Sequence, residues 1–271
     1  MKNERVVYYS DPVNDDFAGT DINTKHISAD FCFIRKSFLW KAVSFIVYYV
    51  IAIPPVWLIS KLYMGLKFKN RRVLRKLRGK GYFLYGNHTQ ALDAYVPALA
   101  SFPKRSYIIA NPDVVSIPGI GRLVMMLGAL PIPSDAPGFK RFLDAVNTRC
   151  SQRACIAVFP EAHIWPYYTG IRPFPDATFR YPVITGAPAV AMVTTYRNRK
   201  GLFALCKRPG MTVTFSDVFY PDPELPARRA QADLCSQAFE FMDNVSRSTP
   251  QVTYIRYEYK PKEDASDKAE E

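Results

Sequence analysis

Residues 82–93 read Tyr82-Phe83-Leu84-Tyr85-Gly86-Asn87-His88-Thr89-Gln90-Ala91-Leu92-Asp93. The four apolar residues predict a short strand, and the glycine after them predicts its end. A histidine and a carboxylate follow, five positions apart. At about 100° of rotation per helical residue such positions lie about 140° apart, so His88 and Asp93 cannot share a helical face. They can meet only if His88 occupies the turn before a helix. Asp93 would then reach back to orient the imidazole, placing a base and its orienter at the carboxyl end of a strand. A histidine that merely caps a loop would show the same spacing, so the rest of the chain has to decide.

From Gly79 onward, short apolar runs alternate with amphipathic segments, the pattern of an α/β sheet with helices on its faces. Strands are expected at Tyr82 to Tyr85, Ser106 to Ala110, Ala129 to Ile132, Ala154 to Phe159, Pro188 to Thr195 and Met211 to Phe215. Helices are expected near Thr89 to Ala100, Gly121 to Leu127, Gly138 to Cys150, Asp176 to Thr185 and Arg228 to Ser246.

The 271 residues suffice for a full core, and a hydrophobic fraction of 48% excludes wholesale disorder. The formal charge is +12, and nine basic residues with no acid fall between Lys61 and Lys80. The remainder is nearly balanced. Five scattered cysteines without a C-x-x-C pair argue against a disulfide framework or a zinc site and for a reducing compartment. With only His26, His88 and His163 and no H-E-x-x-H, no metal site is expected.

Four segments are expected. Residues 1–37 are polar, with turns over Ser10 to Asp16 and no signal peptide. Residues 38–80 join an uncharged span, Ala42 to Ser60, to the basic run. That span approaches the roughly 20 residues of a bilayer crossing, and Trp40, Tyr48, Tyr49, Trp57 and Tyr63 recur as interfacial anchors do. Cations on both flanks favour a helical hairpin that dips into one leaflet and returns, bent at Pro54-Pro55, over a single crossing with the first forty residues outside. The basic run would hold the chain on an anionic leaflet at its cytoplasmic face, whether monotopic or single-pass. Nucleic acid is not an expected partner, since no nucleic-acid-binding signature appears. Residues 81–257 form the α/β domain, and 258–271 a charged, disordered tail.

Three more stretches carry chemistry. Pro118-Gly119-Ile120-Gly121-Arg122 is a glycine-rich turn whose amides and guanidinium suit an anion. Val158-Phe159-Pro160-Glu161-Ala162-His163 puts a carboxylate and a second imidazole just after an apolar strand, where α/β proteins keep their sites. Trp165 to Phe174 is an aromatic loop with one cation, Arg172, of a composition suited to a lipid-facing or ligand-covering flap.

Together, N-H-x4-D after a strand, the P-x-x-G turn, F-P-E and the strand Ala187 to Val193 resemble the glycerolipid acyltransferases, whose best-known members are the 1-acyl-sn-glycerol-3-phosphate acyltransferases (PlsC-like). The blocks occur in family order over roughly residues 80 to 195. The resemblance implies one sheet flanked by helices, of the glycerol-3-phosphate acyltransferase type, preceded by the membrane-associated hairpin. It implies His88 as general base and Asp93 as its orienter, with Glu161 helping to shape the acceptor site; Asn87, Arg122, His163 and Arg172 are the further candidates around the acceptor. The donor would be acyl-CoA or acyl carrier protein, with no bound cofactor, and the acceptor a lysophosphatidate-like lipid in phospholipid synthesis. Two departures stand out. Ser134 falls where the family has a phosphate-binding arginine, and Ala162-His163-Ile164 replaces the small residue and arginine after F-P-E. Arg122, Arg172 or Arg180 would have to substitute, or the acceptor differs; a fold kept for membrane binding without catalysis is the alternative. Without G-x-S-x-G, direct transfer is expected, with amides at a helix start holding the oxyanion.

Overall fold

The computed structural model describes residues 5–18 and 24–261. The strands are β1 (Arg5–Tyr9), β2 (Lys67–Lys69), β3 (Tyr82–Gly86), β4 (Ser106–Ala110), β5 (Ala129–Pro131), β6 (Cys155–Val158), β7 (Ala189–Arg197), β8 (Gly210–Phe219) and β9 (Ile255–Tyr259). The helices are α1 (Phe38–Leu62), α2 (Val96–Ser101), α3 (Gly121–Met126), α4 (Ala136–Ser151), α5 (Arg180–Thr185) and α6 (Ala227–Ser248). A seven-stranded sheet runs β2-β8-β7-β3-β6-β4-β5. Strands β7, β3, β6, β4 and β5 are parallel, β8 is antiparallel to β7, and β2 pairs with β8.

Period-two alternation divides the core between the two faces of this sheet. Phe83 and Tyr85 of β3, with Ile156 and Val158 of β6, face α4, α5 and α6 through Phe142, Tyr181 and Leu234. Tyr82, Leu84, Cys155 and Ala157 face the other way, onto Leu99 of α2 and Val73, Leu74 and Leu77 of a 3-10 helix, Arg71–Leu77. Strands covered on both sides read as continuous apolar runs, which is why all six expected strands are present.

The chain leaves β3 towards β4 and β5 and leaves β6 towards β7 and β8. These two connections leave an adjacent strand pair in opposite directions and over opposite faces of the sheet, and the crevice at the carboxyl ends of such a pair is where α/β sheets seat ligands.

The expected hairpin is corrected. Residues 38–62 form one uninterrupted helix, long and apolar enough to cross a membrane by length and composition. Its middle, Ile46–Ala52, is π-helical, and Pro54-Pro55 fall in the first turn of the α-helical segment that follows. Prolines are tolerated there, because first-turn amides need no intrahelical partner. One side of α1 is fastened to the domain. Ser44 Oγ donates to Met126 O (3.0 Å), the Ser106 amide donates to Tyr48 Oη (3.0 Å), and Tyr49 Oη donates to Pro103 O (3.0 Å). The other side presents Phe38, Val50, Ile51, Trp57 and Leu58 to the outside. An apolar tip at Leu202 and Leu205 lies exposed near the end of α1, where Arg199 Nη1 donates to Leu62 O (2.9 Å).

The polar N-terminal segment is more than turns. β1 pairs in parallel with β9, so Glu258 and Tyr259 are strand residues and not tail. Residues 262–271, expected to be disordered, lie outside the described residues.

Candidate active site

β3 ends at Gly86, where a Cβ would stand 2.6 Å from Met192 Cε of β7, so any larger residue there would have to displace the Met192 side chain. Asn87 continues the ladder with its side chain: its Oδ1 accepts from the Thr194 amide (2.8 Å) and its Nδ2 donates to Thr194 O (3.2 Å). Asn87 is buried, and it fixes where the strand turns out.

His88 occupies the turn before a 3-10 segment, Ala91–Tyr95, as the spacing requires. Its Nδ1 stands 3.6 Å from Asp93 Oδ2. Asp93 is locked by its own loop, with Oδ2 accepting from the amides of Thr89 (2.6 Å) and Gln90 (2.8 Å). Tyr196 of β7 supports that loop, donating to Thr89 Oγ1 (2.7 Å) and accepting from Gln90 Nε2 (3.1 Å). Burial, and then the Asp93 charge, push the Tyr196 phenol well above its ordinary value, so it stays a donor. The imidazole stacks on Phe159 at 4.5 Å between centroids. With Nδ1 turned to Asp93, Nε2 is the ring nitrogen left to exchange a proton. The amides of Thr89 and Gln90, at the helix start where oxyanion donors were expected, are committed to Asp93 instead.

The F-P-E turn lies beside this loop. Glu161 Oε2 accepts from the His88 amide (3.2 Å), and Oε1 from the Arg172 amide (3.1 Å). Arg172 Nη2 stands 3.3 Å from Glu161 Oε2 and also donates to His163 O. Arg172 is only 1% exposed, with its guanidinium over the Trp165 ring. Burial raises the Glu161 carboxyl, while the Arg172 charge and the two amides pull the other way. Glu161 and Arg172 thus form a buried pair that holds the backbone behind His88; they are not open to an acceptor in this conformation. His163 Nδ1 faces Asp16 (3.2 Å) of the N-terminal segment.

The aromatic loop does not form an exposed flap. Trp165 is buried, stacked on Tyr257 at 5.0 Å, and its Nε1 donates to Asp15 O (2.7 Å). The Trp165 and Tyr167 amides donate to His88 O (3.2 Å) and Thr89 O (3.0 Å), making the loop a plug against the His88 turn. Arg122 is exposed at the start of α3. The preceding Gly121 is required there, since a Cβ would stand 2.4 Å from Val115 O.

Sequence reasoning missed several contributors. Phe159, just after β6, and Tyr196 of β7 touch the loop of residues 88–93, and no spacing rule reveals a contact across 107 residues. A cavity of about 1140 Å³ beside Tyr167 is lined by Arg5, Arg199, Lys207 and Arg208, a cationic set that no single segment suggests. Among the described residues no group of three or more His, Cys, Asp and Glu side chains could hold a metal.

A histidine backed by a carboxylate, at the carboxyl edge of a mostly parallel sheet, defines a scaffold for base-assisted group transfer. The Acyltransferase family model matches residues 65–213, more than half of the chain, and the chain belongs to that family. Its fold is PlsC-like. The crystal structure of the 1-acyl-sn-glycerophosphate (LPA) acyltransferase, PlsC, from Thermotoga maritima is similar with a TM-score of 0.53 and 13% sequence identity, covering 81% of this chain and 87% of that one. Among curated proteins, none matches by sequence.

Proposed function

We propose that this acyltransferase moves a fatty acyl group from a thioester, acyl-CoA or acyl carrier protein, to the free hydroxyl of a lysophosphatidate-like glycerolipid at a membrane surface. The observation that carries the reading is the His88–Asp93 pair in the turn after β3, with one ring nitrogen facing the carboxylate. In the reaction His88 Nε2 takes the hydroxyl proton as the oxygen attacks the thioester carbonyl. The carbon–sulfur bond then breaks, and the thiolate recovers that proton from the imidazolium. Asp93 stabilises the imidazolium between those two transfers. A positioned base of this kind is typically worth about 10² to 10⁴ in rate.

Membrane association is supported by the apolar outer side of α1 and the tip at Leu202 and Leu205. A crossing would carry the polar contacts of Ser44, Tyr48 and Tyr49 into hydrocarbon along with the domain fastened to them. The reading is therefore monotopic, with α1 in the plane of one leaflet and the basic face on the cytoplasmic side. Arg122 and the cations beside Tyr167 are the candidates to meet an acceptor phosphate in the absence of the family's arginines. A lipid alcohol without phosphate is the second acceptor class, favoured by Ser134 and His163.

Purified protein given labelled acyl-CoA and lysophosphatidate in vesicles tests the proposal. Labelled diacyl product is expected, with a loss of about 10² to 10⁴ for His88→Ala. Transfer by His88→Ala at the parent rate would overturn the assignment, and a panel of lipid alcohols decides the acceptor.

A further inference from the structure

A cavity of about 890 Å³ opens at the amino-terminal edge of the parallel strands, the edge opposite His88. Its walls include Tyr82, Arg105 and Ala154, where β3, β4 and β6 begin. A second cavity, of about 250 Å³, adjoins it, and Arg105, Tyr107 and Gln152 line both. The first is lined by seven Lys and Arg residues and the second by five, with Arg105 common to the two. Among the described residues no acidic side chain lines either.

The arrangement is more than a solvated basic face. The 3-10 helix Arg71–Leu77 repeats every three residues, which brings Arg72, Arg75 and Arg78 into one row above a base of buried Val73, Leu74 and Leu77. At roughly 2.0 Å of rise per residue, the row spans about 12 Å. Its rim is rigid, because Arg71 donates to Ala100 O (2.7 Å) and Leu99 O (2.9 Å), and Lys104 donates to Lys80 O (2.7 Å). In the adjoining cavity Arg35, Arg105 and Arg149 each keep a buried Nε without an acceptor. Arg105 and Arg149 both lie over the Tyr107 ring, at 5.4 and 4.5 Å. Arg105 Nη2 donates to Ser44 Oγ (2.6 Å) and Met126 O, and Arg149 Nη1 to Gln152 Oε1 (2.9 Å), which fixes the two half-buried guanidinium groups in place. Clustered guanidinium groups with unfilled donors and no counter-charge call for an anionic ligand that supplies both.

We propose that this double cavity binds a ligand carrying two or more neighbouring phosphates. A 12 Å row exceeds the size of one phosphate, and guanidinium forks match phosphate oxygens in pairs. The phosphates could belong to a lipid headgroup or to a soluble polyphosphate. The rim favours a lipid, because Tyr49 of α1 and the half-exposed Phe102 stand beside the apolar helix. The site lies at the far end of β3 from His88, about 20 Å away, so it takes no part in the chemical step and does not rest on the acyl-transfer reading.

Calorimetric titration of the full chain with tripolyphosphate, together with sedimentation on vesicles bearing phosphatidylinositol bisphosphate or, at equal total charge, phosphatidylserine, tests the site. The Arg75→Gln/Arg78→Gln pair removes exposed row members, Arg105→Gln/Arg149→Gln removes the half-buried guanidinium groups, and Arg228→Gln/Arg229→Gln removes equal charge from the exposed start of α6. Saturable binding of tripolyphosphate, weakened about tenfold or more by either cavity pair and less than about twofold by the control, is expected if the source is soluble. A preference for the bisphosphate vesicles with the same variant pattern identifies a lipid headgroup. Binding of neither probe, or equal weakening by the control pair, overturns the proposal. Because Arg75 and Arg78 are exposed, their variant reads binding free of any folding defect in the half-buried pair.

Discussion

His88 Nδ1 and Asp93 Oδ1 are both buried and both lack a partner, although the two side chains stand 3.6 Å apart at their nearest pairing. The 3.6 Å between Nδ1 and Oδ2 is slightly longer than a hydrogen bond, and catalytic hydrogen bonds often tighten only with substrate bound. Asp93→Asn should therefore leave the turn folded, since an amide oxygen can still accept from Thr89 and Gln90, yet lower kcat by about 10² or more because imidazolium stabilisation is lost. Unchanged kcat in a folded Asp93→Asn protein would remove Asp93 from the mechanism. Tyr196→Phe strips one hydroxyl from the same network and should cost about 1–3 kcal/mol in denaturant unfolding, with KM little altered. At this scale the pairing of His88 with Asp93 was legible, because helical geometry left a single way for them to meet. The placement of Arg172 was not. Its position after F-P-E suggested an open phosphate ligand, whereas burial against Glu161 depends on a loop closure that no local pattern encodes.

At the scale of elements, the strands were legible because each is buried on both faces, and the pairing of β1 with β9 was not, because its partners lie about 250 residues apart in weakly patterned sequence. α1 shows a subtler failure. Pro54-Pro55 suggested a bend, but the π-helical turn before them shifts the prolines into a fresh first turn, where their missing amides cost little. The outward side of this helix carries a direct prediction. Trp57→Ser with Leu58→Ser should lower vesicle affinity by about 10-fold or more, at roughly 1.5–3 kcal/mol per buried side chain, while the melting temperature stays near that of the parent. If vesicle binding survives intact, another surface holds the membrane. The plug of residues 159–172 behaves differently: Arg172→Ala leaves Glu161 buried without its counter-charge, and a loss of about 3–5 kcal/mol in unfolding free energy is expected.

Across the whole molecule, protonated buried acids stand out beside the surplus of surface cations. Cys155 lies at the sheet centre, 0% exposed, and burial pushes its thiol up to about 11. Burial also pushes the Cys235 thiol up to about 11, and raises the phenols of Tyr82, Tyr85 and Tyr196 above their ordinary range. In the unfolded chain a thiol ionises near 8.5 and a phenol near 10. The folded state therefore keeps protons that the unfolded state releases, and the sign follows: stability is full below about pH 8.5 and declines as pH rises through the folded values. The rise at Cys155 amounts to about 2 kcal/mol by pH 11. The melting temperature should fall steadily from pH 8 to 11. Cys155→Ala should start lower at pH 8, for want of packing, but decline less steeply. A melting temperature that stays level across this window, or a Cys155→Ala slope equal to the parent's, would mean that these groups ionise inside the fold and that the sheet centre is wetter than its burial implies.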